Sequence, residues 1–159
     1  MAGELIIARL DDLPLDRFAE LLAESEVSGY LFLRRVVDEW QSGANRFARP
    51  GEALLIAEMN DRWVGVCGLS IDPYLDDPRI GRVRNVYVVA RYRRAGIGRR
   101  LVEEAIARAR DRFDRLRLRG EEEGPARLYE SLGFRPCRGL PDCTHVMEWC
   151  GVEGEVLPR

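Results

Sequence analysis

Apolar and polar positions along this 159-residue chain change period several times, and each change marks an element. Leu5-Ile6-Ile7-Ala8-Arg9-Leu10 predicts a first strand. Asp12 is placed to cap the helix that follows, with Pro14 in its first turn. Leu15, Phe18, Leu21 and Leu22 share one helical face, broken at Ser28-Gly29. Leu33, Val36, Val37 and Trp40 predict a second helix ending near Ser42-Gly43. After Pro50-Gly51, the run Ala53–Glu58 predicts a strand, Asn60-Asp61 a tight turn, and Trp63–Ile71 its hairpin partner. A polar loop from Asp72 to Pro78 leads into a strand over Arg82–Val89.

Ile97, Leu101, Ala105, Ile106, Ala109 and Phe113 recur on one helical face. Leu116 and Leu118 then alternate with Arg115, Arg117 and Arg119, as in a half-buried strand. Glu121-Glu122-Glu123-Gly124-Pro125 places acid at the start of a short helix, and Gly133 has the character of a left-handed residue closing it. A last strand spans Thr144–Cys150. Strand, two helices, three strands, helix, strand, helix, strand is an α/β order. It predicts one domain over residues 1–150, a mixed sheet of about six to seven strands flanked by about four helices. Residues 151–159 read as a tail.

Composition narrows the classes. The chain is 46% hydrophobic and 33% charged, with a net charge of −2, which speaks against a nucleic-acid surface spread over the whole molecule. All 25 Lys-plus-Arg positions are arginine, so neither a lysine Schiff base nor a P-loop lysine is available. No apolar run approaches the roughly 18 residues of a membrane span, and Met1-Ala2-Gly3-Glu4 has no basic leader character. Cys67, Cys137, Cys143 and Cys150 form no C-x-x-C pair. They predict reduced thiols in a cytoplasmic protein, with a Cys137–Cys143 bridge as the pairing left open. His145, the single histidine, lies two residues from Cys143 and reads as structural, and no metal set is apparent.

The chemistry concentrates where Val86-Tyr87-Val88-Val89 runs into Arg91-Tyr92-Arg93-Arg94-Ala95-Gly96-Ile97-Gly98-Arg99-Arg100. Unpaired N–H groups at a helix N-terminus bind anions, phosphate above all. The P-loop pattern fails here for want of Lys and Ser/Thr. The dinucleotide fingerprint fails because the turn follows the fourth strand and carries two glycines. Arg93, Gly96 and Gly98 instead spell R-x-x-G-x-G. Downstream, Leu128-Tyr129-Glu130-Ser131-Leu132-Gly133-Phe134 spells L-Y-E-x-L-G-F.

Both segments, in this element order, resemble the GNAT superfamily of acyl-CoA-dependent N-acetyltransferases. The resemblance covers nearly the whole chain and implies acetyl-CoA as co-substrate, with no metal. It implies that Arg93, Arg94, Ala95, Gly96, Ile97, Gly98 and Arg99 wrap the coenzyme's pyrophosphate. Val86 and Val88 would meet its thioester arm where the strand splays from its parallel neighbour. The Val88 N–H would polarise the thioester carbonyl, and Tyr129 would act as general acid toward the departing thiolate. The family often has Asn and then Ala before L-Y-E; this chain has Glu122 and Pro125.

For a base the chain offers Glu58, Asp72 or Glu26, with water as an equal alternative. The resemblance brings the acceptor in beside Glu24–Tyr30 and Asp72–Asp77. Glu26, Tyr30, Asp72 and Tyr74 there suggest a small cationic amine, because carboxylates and aromatic faces favour ammonium groups. The expected partner is thus a small-molecule amine, with no nucleic acid and no membrane, and a homodimer is left open. A protein N-terminus or lysine as acceptor, and a coenzyme A-binding sensor without catalysis, stand as alternatives.

Overall fold

A computed structural model describes residues 3–120 and 125–149. Its elements run β1 (Ile6–Arg9), α1 (Leu15–Val27), α2 (Phe32–Ser42), β2 (Ala53–Met59), β3 (Arg62–Ile71), β4 (Ile80–Val88), a single 3-10 turn (Ala90–Tyr92), α3 (Ile97–Arg110), β5 (Arg115–Leu118), α4 (Pro125–Ser131), β6 (Arg135–Pro136) and β7 (His145–Glu148). Among the described residues these strands form one seven-stranded sheet in the order β1-β2-β3-β4-β5-β7-β6. All neighbours are antiparallel except β4 and β5, which are joined through α3 and run parallel. A parallel pair needs such a crossover.

Helices cover both faces, which is why β2 is buried almost throughout. On one face Ala53, Leu55 and Ala57 of β2 pack with Ile97, Leu101, Ala105 and Ala109 of α3, joined by Leu116, Leu118, Tyr129 and Phe134. On the other, Leu54 and Ile56 meet Phe18 and Leu21 of α1 and Leu33, Val36, Val37 and Trp40 of α2. The β2–β3 turn is built as expected: Asn60 and Asp61 both have positive φ, 54° and 60°, the conformation a type I′ hairpin turn requires.

Three expectations need correction. Asp12 does not cap α1. Pro14 holds the N-cap position with no side-chain cap, and Asp12 Oδ1 instead accepts the N–H of its neighbour Leu13 at 2.8 Å. The strand β6 is absent from the sequence reading, since two residues carry no period. The strand expected to start at Thr144 starts at His145 and ends at Glu148. Cys67, Cys137 and Cys143 are free thiols, as expected, and the Cys137–Cys143 pairing left open is not formed. Cys150, the acidic run 121–124 and the expected tail 151–159 lie outside the described residues.

Candidate functional site

The site begins where β4 and β5 part. They pair only at Ile80–Arg115, Gly81–Leu116 and Arg82–Arg117; from Val83 onward β4 runs without a partner on that side. The divergence coincides with a bulge. Val66 of β3 faces Tyr87 and Gly68 faces Arg84, so Asn85 and Val86 together oppose Cys67. Asn85 takes φ 60°, a conformation Asn tolerates better than most residues. Past the bulge, Val89 N–H donates to Val64 O at 2.8 Å. Strand alternation therefore turns the N–H and C=O of Val88 away from β3 and into the gap. The Val88 carbonyl accepts from Arg93 Nε there, at 2.8 Å.

The turn after β4 is open at its tip. Gly96 holds the N-cap position of α3 with φ 80°, and no side chain caps the helix. The first helical bond is Arg100 N–H to Gly96 O at 3.0 Å, so the N–H groups of Ile97, Gly98 and Arg99 precede the ladder and have no acceptor within it. Arg94 also sits at positive φ, 67°, a mildly unfavourable state for a residue with a Cβ. Gly98 is the telling position. Its φ is not positive, and a Cβ added there would meet only Val88 Cγ2, at an ordinary 3.7 Å. Neither backbone nor packing demands glycine at 98, which leaves open space directly over the helix N-terminus. This fits a pyrophosphate, which needs close backbone approach and a positive dipole end.

Between the strands lies a cleft of about 530 Å³ whose wall includes Val86, Val88, Arg93, Tyr30 and Tyr129. Five of the expected site residues thus meet in one cavity, and Arg94–Arg99 form the turn beside it. Arg99 does not stand free: its Nη1 donates to Ser131 Oγ at 3.0 Å and fastens α3 to α4. Tyr129 reaches the cleft from α4, ring edge-on to Phe134 with centroids 6.0 Å apart. Gly120 opposite has no side chain, and a Cβ there would come within 3.3 Å of the Tyr129 ring. His145 is buried and its ring nitrogens meet Thr144 Oγ1 at 2.9 Å and Glu130 Oε2 at 3.0 Å, tying β7 to α4 next to Tyr129.

A pair that sequence did not suggest closes the other side. Glu24 of α1 accepts the Tyr87 hydroxyl at 2.7 Å and the Ala90 N–H at 2.9 Å, anchoring α1 to the exit of β4. Burial, then this bond to Glu24, raises the Tyr87 pKa above the usual phenol value. Tyr30 and Phe32 complete an aromatic cluster around Tyr87, with centroids 5.7–6.2 Å apart. Glu24 and Tyr87 are far apart in the chain, so no local pattern announces them. Asn85 did leave a signal: after Arg82-Val83-Arg84 it puts a polar residue where the alternation calls for an apolar one.

The expected acceptor acids are elsewhere. Asp72 is 1% exposed, with Oδ2 3.4 Å from Arg82 Nη1 and 3.1 Å from Arg117 Nη1. Arg82 and Arg117 are register partners projecting to one face, and Asp72 is drawn under them as their counter-charge. Glu26 is held by Arg34 through two hydrogen bonds of 3.2 and 2.9 Å; that bonding keeps its carboxyl below the usual range. Tyr74 lies against the Arg82 guanidinium, 4.7 Å from the ring centroid, and lines a separate cavity of about 700 Å³. Of the four expected acceptor residues, the cleft wall includes Tyr30 alone. Glu58 is ion-paired with Arg17. Among the described residues, no group of three or more His, Cys, Asp and Glu is arranged to hold a metal, and no helix is long and apolar enough to cross a membrane.

Sheet order, the parting of the two parallel strands and an open glycine turn at the cleft's end define a class: α/β proteins with a cleft between two diverging parallel strands of a mixed sheet. Residues 50–136 match the acetyltransferase (GNAT) domain, and the chain belongs to that family. A protein of Exiguobacterium sp. 255-15 classed as an acetyltransferase is 29% identical, with a TM-score of 0.79 over 91% of this chain and 93% of that one. The ribosomal-protein-alanine N-acetyltransferase of Brucella melitensis is 26% identical, with a TM-score of 0.63 over 83% and 85%. A GNAT family acetyltransferase of the same organism, in complex with acetyl-CoA, shares the fold at 17% identity, with a TM-score of 0.67 over 99% and 93%.

Proposed function

We propose that this protein transfers the acyl group of acetyl-CoA to the primary amine of a small molecule by direct attack. The observation that carries the reading is the continuity of two features: a glycine turn whose openness the fold does not require, and a strand edge left unpaired beside it. Acetyl-CoA supplies the activated acyl thioester. The N–H groups of Ile97, Gly98 and Arg99 hold phosphate oxygens, and Arg93 and Arg94 add positive charge, a contribution that salt weakens.

Within the cleft, the Val88 N–H hydrogen-bonds the thioester oxygen and stabilises the negative charge that grows there. Arg93 has to leave the Val88 carbonyl for that edge to pair with a ligand amide. Tyr129 gives its phenolic proton to the departing sulfur; a phenol near pKa 10 suits a thiolate near 8.5. Glu58, Glu26 and Asp72 are each engaged by arginine, so the amine's proton leaves through water at the open mouth. Acetyl-CoA titrated calorimetrically should bind, and thiol release should then appear with some members of a panel of small amines. A protein that binds acetyl-CoA yet releases no thiol with any amine would overturn the reading.

A further inference from the structure

We infer that the acceptor amine carries a carboxylate, which Arg84 recognises on the α1/α2 side of the cleft; this rests on the transferase reading above. The sequence pointed the other way, toward a cation, because Glu26 and Asp72 stand in the acceptor loops. The structure neutralises both. Among the described residues, what faces the cleft is basic: Arg84, Arg93 and Arg119 belong to its wall, and no described carboxylate does. Glu24 reaches it only through Tyr87.

Arg93 is engaged at Val88, on the donor side. Arg84 is different. Its Nε donates to Asn85 Oδ1 at 3.1 Å, and among the described residues it makes no ion pair. Its stem crosses Gly68 closely: a Cβ at 68 would lie 3.2 Å from Arg84 Cγ and 2.9 Å from Phe47. Phe47 belongs to the α1/α2 core, so the side chain lies on that face. Arg84 forms part of the wall of both the 530 Å³ cleft and the neighbouring 700 Å³ cavity, where Glu52 is already taken by Arg49. A planar fork without a carboxylate partner among the described residues, in a concave setting, is suited to take one bidentately.

The charge balance beneath points the same way. Arg82 and Arg117 are both buried and share the single carboxylate of Asp72. Arg117 Nη1 stands 3.1 Å from it without hydrogen-bond alignment, and Arg117 Nε has no hydrogen-bond partner. Among the described residues, one positive charge in excess is therefore buried where the strands part, two residues along β4 from Arg84. Low-dielectric surroundings let that charge act at range and attract anions to the mouth.

Steady-state acetylation with saturating acetyl-CoA tests this, using L-alanine, L-methionine and L-glutamate beside their α-amides and the corresponding decarboxylated amines. The amino acids should turn over, and removing the α-carboxylate should raise KM by about ten- to a hundredfold. Arg84→Gln should erase most of that difference while leaving the calorimetric affinity for acetyl-CoA unchanged. Turnover that favours amines without a carboxylate, or Arg84→Gln leaving acceptor KM untouched, overturns the carboxylate reading and leaves the transferase standing. Bound acetyl-CoA with no turnover of any amine overturns both.

Discussion

Replacing Gly98 by alanine should make the protein more stable and bind its ligand less tightly. The added Cβ meets only Val88 Cγ2 at 3.7 Å, and the backbone there is not left-handed, so alanine fits without strain. Relief of glycine's conformational entropy in the first turn of α3 is worth about 0.5–1 kcal/mol. For a chain of this size, that raises the melting temperature by about 1–4 °C. The same methyl group occupies the space over the N–H groups of Ile97, Gly98 and Arg99. If it prevents one or two of them from reaching a charged oxygen, the loss is about 1.5–3 kcal/mol, or roughly ten- to a hundredfold in affinity. Differential scanning calorimetry gives the first quantity, and titration with acetyl-CoA the second. A stabilised protein that binds acetyl-CoA as tightly as before would refute the assignment of this turn to phosphate.

Tyr129→Phe should lower kcat by about a hundredfold, the scale of one proton-transfer group, with acetyl-CoA affinity unchanged; an unaltered kcat would remove Tyr129 from the chemistry. Asp72→Asn leaves two buried guanidinium groups without their counter-charge and should cost about 3–5 kcal/mol in urea unfolding; a loss below about 1 kcal/mol would show that the charges are not truly buried. Burial pushes the Cys67 thiol up from 9.0 to about 12. The folded state therefore keeps a proton that the unfolded state gives up, and stability falls as pH rises from 9 toward 12 by about 1 kcal/mol per unit. Cys67→Ala should make that slope shallower, the raised Cys137 thiol keeping part of it, and an equal slope would place its origin elsewhere.

The strand–turn–helix at the centre of the molecule was legible because its constraints are local. Val86–Val89 must be a strand, Gly96 must supply a left-handed backbone, and Ile97 and Leu101 must face the core, all within one short segment. Asn60-Asp61 was legible for the same reason. The acceptor side was not, because its rules are tertiary. Asp72 reads as a loop acid until Arg82 and Arg117 are placed side by side by the β4–β5 register. Glu24 reads as a solvated helix position until Tyr87 arrives from the other side of the fold. In each case the charge that sequence offers to a ligand is taken by an arginine or a hydroxyl that sequence proximity does not show.

The unpaired edge of β4 has a cost outside the reaction. A row of exposed N–H and C=O groups in the middle of a sheet is a template on which a strand of another molecule can add, the first step of aggregation. Three features described above blunt it. The bulge at Asn85–Val86 interrupts the straight run a foreign strand would need. Arg93 covers the Val88 carbonyl with a charged group. Tyr129, standing in the same cleft from α4, narrows the approach. On the proposed function, the side chain that would leave to admit the thioester arm also keeps the protein from polymerising through that gap.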